Sequence, residues 1–371
     1  MTRWSIALLL LLFPLCGLAQ RPPAVVPTDR AAVVETLPKG YAALMPRGGQ
    51  PPSAAAAQEL LETAARSGDA RLVARADAML ARIPEARRTP ASLRAQAYAA
   101  QYRHDFASAL ALLDRAIELD SRDADARLSR AQIRLVQGDL KGARRDCTSL
   151  AIGIDSDAGL LCVAALGLRR GDYAGAAKLL DHWFSRAPAD ADTRRHALVM
   201  RAEVASRSGG AEADAWFRRA LALDPRDVRT LAAMSRHLRS TGRPAEAYAL
   251  LADAPVSDHL LLERALAAHA SDKPDAARLA SALERRFALT RRLGAEPDLR
   301  DEAEYLLVVR NDAAAALPLA QHNFAEQRDH EDVDLLRRAA HAAGQPQALR
   351  TVEAWAGEQG LELSPLQVAS R

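Results

Sequence analysis

From Ser53 onward, apolar residues recur three and four positions apart almost without a break, loops are short, and no stretch sustains strand-like alternation. Over 93–120 this pattern predicts one helix from Leu93 to Tyr102, a turn from Arg103 to Asp105 and a second helix from Phe106 to Leu119. Phe106, Leu113 and Ala116 then share a face. Ala109 falls where the two helices cross, and a larger side chain there would hold the backbones apart.

A phrase recurs with this helical pair. It reads Asp105-Phe106-Ala107-Ser108-Ala109-Leu110, then Gly138-Asp139-Leu140-Lys141-Gly142-Ala143, then Gly171-Asp172-Tyr173-Ala174-Gly175-Ala176. Fainter copies run from Ser208 to Ala213 and from Gly242 to Ala247. The alanines at 109, 143, 176, 213 and 247 are 34, 33, 37 and 34 positions apart. A fixed period of that size means stacked helical hairpins, each burying its apolar face only against its neighbours.

These residues resemble the tetratricopeptide repeat (TPR) family. In the first clear repeat Ala97, Phe106, Ala109, Leu113 and Ala116 match the family's pattern, with Ser121 in place of its closing proline. The second supplies Ala131, Gly138, Asp139, Ala143 and Cys147; the third Ala164, Gly171, Asp172, Tyr173, Ala176, Leu180 and Pro188. The fourth has Ala213, Phe217, Ala220 and Asp224-Pro225, and the fifth keeps Gly242, Ala247 and Leu251. No Trp occupies early helix A, and the family's Leu-Gly pair there is missing. The resemblance covers roughly 90–255 and implies an all-α, right-handed α-solenoid of helix-turn-helix hairpins. On that frame 53–89 is a degenerate first hairpin, 256–360 are irregular C-terminal hairpins serving as a cap, and 361–371 is a tail.

The start of the chain reads as an address. Arg3 provides a positive end, Ile6 to Leu15 is an apolar run broken only by Pro14, and Gly17-Leu18-Ala19 supplies small residues. The run is shorter than the roughly 20 apolar residues of a membrane span, so residues 1–19 are expected to be a signal peptide cleaved between Ala19 and Gln20. Leu15 before Cys16 does not fit a lipoprotein signal. The expected product is exported, with no membrane span. Seven prolines (22, 23, 27, 38, 46, 51 and 52) make 20–52 a proline-rich arm. It reads as a tether, or as a strap docking Val33, Val34, Leu37, Tyr41 and Leu44 onto the first helices.

Removing Arg3 takes the formal charge from +3 to +2, close to neutral for this length, which argues against a nucleic-acid partner. Ala- and Leu-rich, Arg-rich composition suits a helical protein from a GC-rich bacterial genome, and hence an exported TPR protein of the periplasm. No glycine-rich phosphate loop, Gly-x-Ser-x-Gly or Cys-x-x-Cys occurs. His330-Glu331 opens like a zinc-protease motif, but Asp334 stands where the second histidine is required. No catalytic residue, metal or cofactor is expected, and the chain reads as a non-enzymatic binding protein.

Cys147 and Cys162 fall on helices that pack together in the family, so they form a disulfide or are two small buried thiols. The resemblance carries a peptide groove onto Arg94, Tyr98, Gln101, Tyr102, Gln132, Arg169, Arg195, Arg229, Arg236 and Arg239. Arginine and tyrosine are favoured at binding hot spots, and guanidinium pairs with carboxylate, so an acidic peptide or protein segment is the expected ligand. The family's carboxylate clamp also uses helix A asparagines, which are absent here. The function expected is an envelope scaffold holding another protein. One alternative is an accessory subunit of a secretion, polysaccharide-export or cytochrome-assembly complex. A less favoured one is an enzyme or hydrolase regulator with a site around Glu284, His322 and Glu331.

Overall fold

The recurring phrase is a helix stop followed by a helix start. Gly138 and Gly171 adopt left-handed backbone (φ +77° and +79°), which ends the preceding helix at little steric cost. The aspartate after each glycine caps the next helix: Asp139 accepts from the Gly142 amide at 2.8 Å and Asp172 from the Gly175 amide at 2.9 Å. In the first clear repeat His104 takes the left-handed position (φ +59°) and Asp105 the cap.

The computed structural model describes residues 53–67, 70–186, 190–292, 296–361, 363 and 366. The expected signal peptide with its Ala19–Gln20 cleavage point, the proline-rich arm 20–52 and most of the tail lie outside the described residues. Eighteen α-helices pair as nine antiparallel hairpins among the described residues. They are α1 (Ala54–Ser67) with α2 (Ala70–Leu80), α3 (Pro90–Tyr102) with α4 (Phe106–Leu119), and α5 (Ala124–Val136) with α6 (Leu140–Ser149). Next come α7 (Ser156–Arg170) with α8 (Tyr173–Arg186), α9 (Ala191–Arg207) with α10 (Ala213–Leu223), and α11 (Val228–Ser240) with α12 (Pro244–Leu250). The last three pair α13 (Asp258–Ala270) with α14 (Ala276–Arg292), α15 (Leu299–Val308) with α16 (Ala313–Glu326), and α17 (His330–Ala342) with α18 (Pro346–Glu358). The stack is an all-α solenoid.

The expected helices over 93–120 differ at one end only. Helix α3 starts at Pro90, because Thr89 and Ser92 form a reciprocal capping box ahead of it and proline suits the first helical position. Phe106, Ala109, Leu113 and Ala116 form one buried face, and Ala97, Ala131 and Ala164 are buried at successive helix contacts. Side chains this small let helices close up, so the core is a chain of local clusters rather than one centre.

Two features mark the α6–α7 step. The end of α6 widens into a π turn over Leu150–Ile154, and the backbone of Ala151 comes so close to Gly159 that a Cβ there would lie 2.3 Å from it. Cys147 and Cys162 are joined by a disulfide across the same step, both buried against Ala131 and Leu150.

The odd-numbered helices touch one another in sequence from α1 to α17, whereas the even-numbered ones make little contact among themselves. Packing one layer more tightly than the other curves the stack and puts the odd helices on the inner face. The curl is strong enough that the ninth hairpin returns to the third, fourth and fifth.

Candidate binding surface on the inner face

Arginines on the inner helices do two different jobs. Some staple consecutive repeats. Arg94 on α3 pairs with Asp123, whose carboxylate also caps α5. Arg195 on α9 lies 3.5 Å from Asp227, the cap of α11, and 2.8 Å from Asp192. Arg300 on α15 holds Asp332 in the first turn of α17 through two bonds of 2.6 and 2.9 Å. Arg236 and Arg239 both reach the buried Glu263 of α13, at 3.5 and 3.1 Å. Burial alone would raise the Glu263 carboxyl, but Arg239 and Arg236 hold it below its usual range.

Arg169 and Arg207 belong to a second set. They close the ring where the α16–α17 turn meets the C-terminal ends of α5, α7 and α9. Arg169 pairs with Asp329 at 2.6 Å and Arg207 with Glu331 at 2.7 Å. Between them His330 donates from Nε2 to the Leu168 carbonyl at 3.0 Å, and the Arg328 amide donates to the Val136 carbonyl at 2.6 Å. Both carbonyls belong to the last turns of their helices, where the regular helix pairing runs out; that of Leu168 otherwise receives only the Gly171 amide, at 3.4 Å, among the described residues. Trp355 lies against Gly138, and the Arg328 guanidinium sits 5.6 Å from the Trp355 ring and 5.4 Å from that of Phe324.

Behind this turn is a polar cavity of about 140 Å³, lined by Leu168, Arg169, Glu203, Arg207, Arg236, Arg300 and the Asp329–Glu331 turn. Its electrostatics are mixed. Burial pushes Glu331 up, but Arg207, Arg236, Arg300 and Arg169 outweigh it and keep that carboxyl well below the usual range. Asp329 and Glu203 remain raised, because burial exceeds the help of the same arginines. His330 is lowered to about 4 by burial and by Arg207.

Of the residues expected in a groove, Tyr98 and Tyr102 are 36% and 39% exposed on α3, with Gln101 half-buried beside them. Gln132 is exposed on α5 and Arg229 at the start of α11. Burial raises the Tyr98 phenol, and the charge of Arg229, close enough to act on it, opposes that rise. Burial and Arg229 likewise lower His196 to about 4. Arg94, Arg195, Arg236 and Arg239 are committed to staples, while Arg169 lines the closing turn. Sequence reasoning passed over Glu203, Arg207, Arg300 and Asp329, and considered His330 and Glu331 only for other chemistry. The missed signal was the acidic run Asp329-His330-Glu331-Asp332.

Glu284, His322 and Glu331 do not share partners. Glu284 accepts from the Tyr305 hydroxyl at 2.7 Å, His322 is exposed on α16, and Glu331 sits at the cavity. One other constellation carries chemistry-bearing groups. Ser206 Oγ lies 2.7 Å from His237 Nδ1, and His237 Nε2 lies 2.9 Å from Asp214. The ring is buried beside Phe217, and Arg243 binds both oxygens of Asp214, holding its carboxyl at about 2. This arrangement braces α9, α10, α11 and α12. Among the described residues no His/Cys/Asp/Glu group is arranged to hold a metal ion, and no helix is long and apolar enough to cross a membrane.

No family model and no curated protein matches the sequence. Solved structures of similar helical stacking include a human IFIT1 dimer with PPP-AAAA, at 13% identity over 79% of this chain and 70% of that one, with a TM-score of 0.48. The TPR domain of P58(IPK) is 17% identical over 78% and 99% of the two chains, at a TM-score of 0.21. Yeast Tom70 is 12% identical over 82% and 96%, at 0.25.

Proposed function

We propose that this chain is a non-enzymatic scaffold of the bacterial cell envelope, holding a peptide or protein segment on the inner face of its solenoid. The observation that carries the reading is the exposed Tyr98–Tyr102 pair on α3, with the charge of Arg229 near enough to act on Tyr98. Tyrosine combines a large apolar face with a hydroxyl at low entropic cost, and such residues dominate protein interfaces. Arg229 makes a ligand with acidic groups the better fit. An exported location is supported by the leader-like residues 1–19 and by the buried Cys147–Cys162 bond, which suits an oxidising compartment. Affinity capture from envelope extracts with wild type and a Tyr98→Ala/Tyr102→Ala variant tests the reading. A partner held by the wild type and lost by the folded variant is expected; identical captures reject the groove.

A second reading, an accessory subunit docking along its length onto a membrane-associated secretion, polysaccharide-export or cytochrome-assembly complex, is favoured by a separate feature. Leu119, Ile152, Leu223 and Val256 are all large, exposed and placed where an outer helix gives way to the next inner helix. They form a row along one edge of the stack. Charged replacements along that row, leaving the inner face intact, should release such a complex.

A further inference from the structure

The seam that closes the ring differs from every other step of the stack. Consecutive hairpins share apolar clusters, but among the described residues no hydrophobic cluster joins the ninth hairpin to the third, fourth or fifth. Trp355 lies against Gly138 beside a small pocket that Leu135, Leu140, Val333 and Leu361 also line, and the other seam contacts are hydrogen bonds and ion pairs. The Arg169–Asp329 and Arg207–Glu331 side chains are largely buried, so the seam depends on each charge keeping its partner.

The two seam arginines also differ from the others. Arg94, Arg195, Arg236, Arg239 and Arg300 each keep a carboxylate from a neighbouring repeat. Among the described residues Arg169 and Arg207 have ion pairs only with Asp329 and Glu331. Lifting the turn would leave both guanidiniums facing the cavity, with Glu203 as their nearest remaining acid. They sit on adjacent inner helices, α7 and α9, and their present ligands stand two residues apart in sequence. The residue between those ligands donates a hydrogen bond to the Leu168 carbonyl.

We propose that the Asp329–Glu331 turn is an internal ligand of Arg169 and Arg207, and that an acidic peptide with two carboxylates spaced two residues apart binds by replacing it and opening the ring. This rests on the reading of the inner face as a protein-binding surface. It adds a closed state in which the seat is already occupied. The incoming segment must supply carboxylate, hydrogen-bond donor, carboxylate, in that order. Competition with a tethered turn sets a threshold that weakly acidic segments do not pass.

The test uses a fluorescein-labelled peptide copying residues 326–334, a control peptide with Asn and Gln at the positions of Asp329 and Glu331, and the full chain. Fluorescence anisotropy should give at least tenfold tighter binding of the acidic peptide to the Asp329→Asn/Glu331→Gln protein than to wild type. The control peptide should bind neither. Arg169→Gln/Arg207→Gln should abolish binding in both backgrounds. Unchanged far-UV circular dichroism and thermal unfolding of the Asp329→Asn/Glu331→Gln protein outside the seam guard against a variant that merely loosens the fold. Equal affinity for wild type and Asp329→Asn/Glu331→Gln, or binding that survives loss of both arginines, overturns the proposal. If no variant binds the peptide while Tyr98 and Tyr102 still govern partner capture, the internal-ligand proposal falls and the scaffold reading stands.

Discussion

Arg195 on α9 lies 3.5 Å from Asp227, the residue that caps α11, so one carboxylate starts a helix of its own repeat and pairs with a guanidinium of the repeat before it. Both side chains are buried, at 6% and 2% exposure. Asp227 also accepts from the Thr230 amide at 2.9 Å and its hydroxyl at 2.6 Å. Asp227→Ala should therefore remove a cap and leave a buried guanidinium with only Asp192, destabilising the α9–α11 step by about 2–4 kcal/mol. Asp227→Asn keeps the cap and should cost less. Thermal unfolding followed by circular dichroism measures both, and an Asp227→Ala variant as stable as wild type would show the pair to be ornamental.

The hairpins were legible in the sequence because each is specified within about 34 residues, as the Phe106–Ala109–Leu113–Ala116 face demonstrates. Helix caps are equally local, so the Asp105, Asp139 and Asp172 positions carried their own structural meaning. The arginine roles were not legible in this way. Arg94 and Arg169 occupy inner helices alike, yet one staples a neighbour and the other meets a turn 160 residues away (Arg169 to Asp329). That difference depends on the accumulated curvature of the stack, which no single repeat encodes. A run of alternating acid and histidine at a helix start gave the only trace of the closure.

The Cys147–Cys162 bond spans 15 residues of sequence and ties α6 to α7. On the loop-closure account, a bond of this span contributes about 3 kcal/mol by restricting the unfolded chain. Cys147→Ser/Cys162→Ser, or reduction, is expected to lower the unfolding midpoint and to raise amide exchange first in α6 and α7. Mass spectrometry of the unreduced protein should find no free thiol at either position. Two alkylatable cysteines in the folded protein would refute the bond.

Gly159 offers a sharper packing test. A Cβ at this position would meet the Ala151 backbone nitrogen and Cα at 2.3 Å, and backbone cannot swing aside as a side-chain tip can. Alanine normally favours a helix interior by roughly 0.5–1 kcal/mol over glycine, but overpacking here should reverse the sign. Gly159→Ala is expected to destabilise by about 1–3 kcal/mol. Gly153→Ala, where nothing lies within 4 Å, is the matched control and should leave the melting curve nearly unchanged. A stabilised Gly159→Ala would mean that the π turn does not pack on α7.

The closing turn should weaken in mild acid through His330. Its imidazole is lowered from 6.5 to about 4 by burial and by Arg207, with Arg169 adding to the effect. The Leu168 carbonyl and Glu331 act in the opposite sense. A histidine whose folded pKa is depressed binds fewer protons folded than unfolded between those two values. Its contribution to stability is therefore complete above pH 6.5 and is lost as pH falls toward 4. Asp329 and Glu203 have raised values and gain protons in the folded state on acidification, which opposes this trend, so the comparison must be made against a variant. His330→Gln keeps a donor for the Leu168 carbonyl and removes the titration. Between pH 6.5 and 4.5 the wild-type seam should lose about 1–3 kcal/mol relative to that variant, discounted for the partial exposure of the ring. Hydrogen exchange at the first turn of α17 reads this locally, and parallel pH profiles for the two proteins would rule out His330 as the sensor.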